Sequence, residues 1–289
     1  MPELPDVYVL ARSMDQALRG RTIAAVTVHQ PKCLNCTPAE LTQAVVGRSI
    51  ARVGQRGKWA LLDLDSAWTI ALNLGMGGEV RLHGPERTAD PRRERVVFRF
   101  SDGQQLWAHF WWFGHVHLVP RGDWGEHPQL GSLGPEPLAD DFTPARLTAL
   151  LQRRRGAIKR CLLDQRVIAG IGNVYVQDIL WYARLHPLRP AASLTPEEIA
   201  RLHEAIRRVL QEGVRWGGGP REYDVWGNEG QYSAHLQVGY RTGQPCPACK
   251  TPIEELRVGA TMSYICPRCQ QLSGDWKSRL RAVKPVCAD

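Results

Sequence analysis

Two cysteine pairs near the C-terminus, Cys246-Pro-Ala-Cys249 and Cys266-Pro-Arg-Cys269, enclose the sixteen residues 250–265. A CxxC pair in a tight turn aims two thiolates at one tetrahedral ion, and a stretch of this length returns the chain as a β-hairpin. The spacing predicts a four-cysteine zinc ribbon on Cys246, Cys249, Cys266 and Cys269. With thiolate at all four positions no coordination site stays open, so one structural zinc is expected, with no catalytic role. Cys33-Leu-Asn-Cys36 has no second pair nearby and reads as incidental, Cys161 as a core residue and Cys287 as exposed. Eight cysteines so arranged do not form the framework of a secreted disulfide protein. The N-terminus, MPELPDVYVLARSMDQALRG, carries charges where a signal peptide would be apolar, and no apolar run reaches the roughly 18 residues of a membrane span. The chain therefore reads as soluble and intracellular.

Its 289 residues suggest about two domains. With 37 Lys and Arg against 29 Asp and Glu, the net charge of +8 makes a polyanion the first partner to test. Val7, Leu10, Ala11, Met14 and Leu18 have helical spacing, with Gly20 placed to close that helix. From about 21 to 120, short runs such as TIAAVTV, WALLDL, WTIALNL and RVVFRF predict an all-β sandwich or barrel. A turn-rich stretch, DWGEHPQLGSLGPEPLADD, reads as a linker. Helical periodicity then covers 143–155, 157–165, 173–184 and 196–212, the last opened by Thr195, Pro196 and Glu197.

Several motifs, in order, resemble the bacterial formamidopyrimidine-DNA glycosylase and endonuclease VIII family of repair enzymes. They are MPELPDV at the start, RGKW at 56–59, LGMGG at 74–78, LGPEPL at 133–138, AIKRCLLDQRVIAGIGNVYVQDILWYARLHP at 157–187, and the cysteine ribbon. The resemblance implies an α+β multidomain fold. An N-terminal helix and catalytic β-sandwich would occupy 1–125, a helix-two-turn-helix DNA-binding domain 140–235, a zinc hairpin 236–270 and a basic extension 271–289. It implies damaged double-stranded DNA as partner, lying in a cleft between domains, a monomer, no membrane, and a place on the nucleoid of a bacterial cytoplasm.

The resemblance also assigns chemistry to residues. With Met1 removed, Pro2 presents a secondary amine that titrates near about 7.7 to 8.0, so a fraction is a free nucleophile at neutral pH. In the family this nitrogen attacks the anomeric carbon of a damaged nucleotide, expels the base and leaves a Schiff base from which eliminations cut the strand. Glu3 would be the general acid, and Lys58 would contact phosphate and assist proton transfer. Asn173, in GIGN before a helix, resembles the family's phosphate-contacting Asn, where glycine-flanked amides and a helix N-terminus favour an anion. Lys159 would add positive charge nearby. Tyr232 matches an aromatic near the lesion pocket, with a core position as its alternative.

The chain departs from the family's pattern at several places. Where members have an Arg-Phe pair, this sequence reads His109-Phe110-Trp111-Trp112-Phe113-Gly114. Met76 and Phe113 remain as wedges for the space left by a flipped nucleotide, and Trp112 stands at the Arg position, exchanging hydrogen-bond readout of the orphaned base for stacking. Asn73 replaces the His that precedes LGM, and position six is Asp rather than Glu. Thr261 replaces the hairpin's phosphate-gripping Arg, leaving Arg257 or Arg268 to take over. The loop that closes over an oxidised purine reads Gly217-Gly218-Gly219-Pro220-Arg221-Glu222. Ring-opened purines, oxidised pyrimidines and larger adducts thus fit at least as well as 8-oxoguanine. Two rival readings follow: a specialist that unhooks bulky or crosslinked adducts, and a catalytically silent protein that binds damaged DNA.

Overall fold

The computed structural model describes residues 1–111 and 113–272. The chain divides into two compact units, Met1–Glu136 with Leu210–His235, and Pro137–Val209 with Leu236 onward.

In the first unit, helix α1 (Leu4–Leu18) is followed by β1 (Ile23–Val28), a short α2 (Pro38–Val45) and strands β2 (Ile50–Arg56), β3 (Trp59–Leu64), β4 (Trp68–Asn73), β5 (Glu79–His83), β6 (Glu94–Phe100), β7 (Gln105–His109) and β8 (His115–Pro120). They form two antiparallel four-stranded sheets, in the orders β1-β6-β7-β5 and β2-β3-β4-β8. Of the two all-β forms expected, the sandwich is the one observed. Side chains alternate across a strand, so Val96, Phe98 and Phe100 of β6 and Leu62 and Leu64 of β3 all enter one buried cluster. Leu10, Met14 and Leu18 of α1 join it, each such side chain contributing about 1.5–3 kcal/mol by leaving water. The stretch after β8 has turns but no regular element. It is nevertheless no loose linker, because Leu130 is buried with Trp59, Leu61, Ala71 and Val119.

A ring cluster on this unit gives a pH dependence. Trp59 lies 5.6 Å from His117 and 5.4 Å from His127, centroid to centroid. The His117 Nδ1 and His127 Nε2 atoms are 2.8 Å apart, so one donates and the other accepts. Burial, with His115 and His127 adding repulsion, pulls His117 down to about 4. The folded value lies below the ordinary one near about 6.5. Stability from a neutral His117 is therefore present above that pH and is lost as pH falls toward 4. His186, pulled down to about 4 by burial in the second unit, acts in the same direction. From pH 7 to pH 5 the melting temperature of His117→Phe is expected to fall less than that of wild type; an equal change in the two proteins would contradict the account.

In the second unit, α3 (Pro144–Leu151), α4 (Ile158–Leu163) and α5 (Tyr175–Tyr182) lie within the helical stretches read from periodicity, each ending a few residues short. Helix α6 (Pro196–Arg215) buries Ile199, Leu202, Ile206 and Val209 at helical spacing. Its capping box pairs Thr195 with Glu198: Glu198 N donates to Thr195 Oγ1 and Thr195 N to Glu198 Oε2. From Leu210 the helix belongs to the first unit. Strands β9 (Glu254–Val258) and β10 (Thr261–Ile265) form the hairpin between the cysteine pairs.

Among the described residues, no helix is long and apolar enough to cross a membrane. The extension beyond residue 272, with Cys287, lies outside the described residues.

Candidate active site, DNA-contacting groups and zinc centre

In the first unit, the start of α1 and the segment after α6 are fastened together through one carboxylate. Asp6 accepts the Glu3 amide at 2.6 Å on Oδ2 and the Gly219 amide at 2.7 Å on Oδ1. Gly218 has φ +100, and a Cβ there would sit 2.9 Å from Asp6 Oδ1, so glycine is required on two grounds. The tether brings Glu222 to Pro2: both line a small cavity, of about 10 Å³, with Asp6, Leu10, Leu74, Gly78, Glu79 and Tyr223. Glu3 is buried at the N-cap of α1, where amide dipoles favour negative charge. Burial, helped by the charges of Asp6 and Glu3 against those of the terminal ammonium and Lys58, pushes the Glu222 carboxyl up to about 8.

Lys58 follows Gly57, whose φ of +55 makes the turn between β2 and β3. Glu136 of the LGPEPL motif braces that turn, accepting from Gly57 N at 2.6 Å and Arg56 Nη1 at 3.0 Å. Asn73 was expected at the DNA, but its amide is used internally. Its Nδ2 donates to the Lys58 carbonyl at 3.1 Å, and its Oδ1 accepts from Gly75 N. It thereby steadies both Lys58 and the Met76 loop.

Met76 is 47% and Phe113 73% exposed, as groups inserted into DNA must be. Trp111 is 57% exposed and meets the His109 ring edge-on at 4.9 Å. A Cβ on Gly77 would lie 3.1 Å from its indole, so Trp111 borders the Met76 loop. Trp112 lies outside the described residues. Tyr232 takes its alternative, a core position at 2% exposure, with its amide donating to Gly218 O.

In the second unit the DNA-facing positive charge expected of Lys159 is corrected. Its side chain is fully buried, and Nζ donates to the Met262 carbonyl at 2.5 Å and to Ser263 Oγ at 2.8 Å, since a buried ammonium must be paired. Asn173, half-buried, precedes α5 and accepts Gln177 Nε2 on both its carbonyl and its side-chain oxygen. Gln177 also donates to Met262 O and accepts from Tyr264 N, which ties Asn173 to strand β10. Arg257 and Arg268 are exposed, and Thr261 is half-buried with its hydroxyl on Val258 O.

The four ribbon thiols converge, with every Sγ within 4.8 Å of the others. Pairs stand at 3.9 Å (Cys246, Cys269), 3.3 Å (Cys249, Cys266) and 3.5 Å (Cys249, Cys269). Tetrahedral zinc with Zn–S near 2.3 Å needs sulfurs roughly 3.8 Å apart, so the set fits one closed structural zinc. Cys33 and Cys161 are buried apart from it.

Residue reading overlooked Glu222, the tethering role of Asp6, and Gln177. A helix-period cue could have placed Gln177 one turn after Asn173. Nothing local marks the first two: the tether from Asp6 to Gly219, which carries the Glu222 loop, spans 213 residues.

Comparison with known proteins bears on all three segments. Family models match the formamidopyrimidine-DNA glycosylase N-terminal domain at residues 1–110, the H2TH domain of the same enzyme at 133–223, and the zinc finger found in it and in IleRS at 243–272. The formamidopyrimidine-DNA glycosylase of Chloroflexus aurantiacus is 44% identical over 274 residues, covering 93% of this chain and 98% of that protein. Among solved structures, the Lactococcus lactis enzyme in complex with DNA containing N7-benzyl-Fapy-dG superposes with a TM-score of 0.87 at 28% identity, over 94% of this chain and 100% of that one. The Thermus thermophilus enzyme does so with a TM-score of 0.84 at 36% identity, over 94% and 100%.

Proposed function

Because this chain belongs to the formamidopyrimidine-DNA glycosylase family, and so is a DNA glycosylase and abasic-site lyase of base-excision repair, we propose that Pro2, freed of Met1, is its nucleophile. The observation that carries this reading is the buried Pro2, next to the buried Glu3 N-cap of α1, lining a small cavity with the ionisable Asp6, Glu79 and Glu222. The Pro2 nitrogen bonds to C1′ of the damaged nucleotide while the C1′–base bond breaks, its electron pair leaving with the base. Ring opening follows, with Glu3 protonating O4′ and the nitrogen becoming an iminium. The iminium withdraws electrons from C2′, whose proton is lost, and the 3′ phosphate departs. Half-buried Lys58, close enough for its charge to act on Glu222, supplies positive charge at the phosphate.

Met76 and Phe113 fill the space of the flipped nucleotide, with Trp112 stacking on the orphaned base. Asn173, Arg257 and Arg268 contact the backbone of a damaged duplex. The domain limits read from sequence, a monomeric state and action on the nucleoid of a bacterial cytoplasm belong to the same proposal. For substrate we favour ring-opened purines, including bulky N7-substituted ones; the benzylated lesion in the Lactococcus lactis complex supports this choice. The silent-binder and crosslink-specialist readings are not favoured, given relatives named as glycosylases along nearly their whole length.

Borohydride trapping tests the nucleophile. Abasic duplex, protein and reductant should give a covalent complex, abolished in protein that retains Met1 and so acylates the Pro2 nitrogen; a complex of undiminished yield in that protein would remove Pro2 from the role.

A further inference from the structure

A secondary amine that bonds to carbon becomes an ammonium still carrying its hydrogen, and ring opening must wait until that proton is gone. Some base beside the nitrogen has to take it. Glu3 cannot do so while delivering its own proton to O4′ on the leaving side. Asp6 is engaged by two backbone amides. Glu79, which also lines the cavity, is held by Arg81 and Arg93. Tyr223 lies under the Arg81 guanidinium, 4.3 Å from its ring.

Glu222 is placed differently. Its carboxyl has no hydrogen-bond partner among the described residues, while its backbone is fixed. Its amide bonds to Gly219 O, and its carbonyl accepts Gly230 N at 2.9 Å. On either side, Gly219 is tied to Asp6 and Asp224 O to Arg81 Nη1. The loop thus holds an unengaged carboxyl at the wall of the cavity that Pro2 lines.

We propose that Glu222 is the base that removes the proton from the Pro2 nitrogen during Schiff-base formation. This rests on the reading of Pro2 as nucleophile. The N–C1′ bond forms from the amine lone pair, Glu222 carboxylate takes the N–H proton, and the freed lone pair opens the sugar ring as O4′ accepts a proton from Glu3. No oxidant or reductant is consumed. The charged and titratable groups around Glu222 are Glu3 and Asp6 of α1, Lys58 of the β2–β3 turn, Glu79 of β5, and its own neighbours Arg221 and Tyr223. Burial and the neighbouring acids Asp6 and Glu3 raise its proton affinity to about 8, so its ionised carboxylate is a stronger base than an exposed one and lies close to the operating pH, where general-base catalysis is most effective.

The test is the single-turnover rate of borohydride trapping on abasic duplex from pH 5.5 to 9, with wild type, Glu222→Gln, Glu222→Asp and protein that retains Met1. Glu222→Gln should lower the plateau by about 100-fold. It should also move the acid limb to lower pH and make it less steep, because a carboxyl that titrates at about 8 and must be ionised to act is no longer there. Glu222→Asp should keep the limb and lose part of the rate. Affinity for a duplex with a tetrahydrofuran abasic analogue reports folding; if Glu222→Gln fails that check, Glu222→Asp alone decides, and a rate equal to wild type overturns the proposal. A Glu222→Gln rate that is unchanged, or lowered by one factor at every pH with the limb unmoved, overturns it as well. A complex of undiminished yield in protein that retains Met1 instead overturns the nucleophile reading itself, so the two failures are distinguishable.

Discussion

Glu3→Gln is expected to slow release of a ring-opened purine by about 10² to 10⁴-fold in single-turnover assays, the range for loss of a positioned general acid. The amide nearly matches the carboxyl in size and can still occupy the buried N-cap, so the helix should survive. What it lacks is the proton for O4′ that opens the ring and makes the base's departure irreversible. An abasic sugar already opens to its aldehyde without help, so borohydride trapping on preformed abasic DNA should fall much less than base release. A Glu3→Gln protein that releases base at the wild-type rate would contradict the assignment, and equal losses on both substrates would point to a collapsed site rather than a missing acid.

The second large effect concerns the ribbon. Structural zinc in such sites contributes on the order of 10–16 kcal/mol to folding, while a two-strand hairpin such as β9–β10 is marginal alone. The apolar cluster beneath it is small, built on Val238, Cys246, Ile253 and Cys266. Cys249→Ala, or zinc removal by a strong chelator, should therefore unfold the hairpin. The Met262 carbonyl and Ser263 hydroxyl would then leave Lys159, whose buried ammonium would lose partners at a cost of about 3–5 kcal/mol. Gln177 would lose its bond to β10, freeing Asn173. We expect one zinc per folded chain by metal analysis, and at least a 100-fold weaker affinity for abasic duplex after removal. Wild-type affinity in the metal-free protein would refute the coupling between hairpin and helices.

Lys159 and Glu222 show where residue reading stops. A lysine in a helix of a basic DNA-repair protein looks like positive charge facing DNA, yet its burial is decided by a hairpin about 100 residues away. Glu222 looks like an exposed loop acid, and its importance comes from a tether to Asp6 that no window of sequence contains. Asn73 differs from its family at an apparent contact point, while its amide works inside the turn. In each case the side chain's chemistry is readable and its neighbours are not.

The sequence by itself determined the elements whose signals are local. The amphipathic helices follow from 3.6-residue spacing, the strands from β-branched and aromatic runs between turn residues, and the zinc site from two CxxC pairs at hairpin distance. Ordered motifs across most of the chain were sufficient for the family. The tertiary structure alone decided that Leu210–His235 packs with the N-terminal unit, that Glu222 shares a cavity with Pro2, and that Lys159 serves the hairpin. Backbone hydrogen bonds and periodicity act over a few residues and leave a record in sequence, whereas the proton affinity of a carboxyl depends on burial and charges delivered from distant segments.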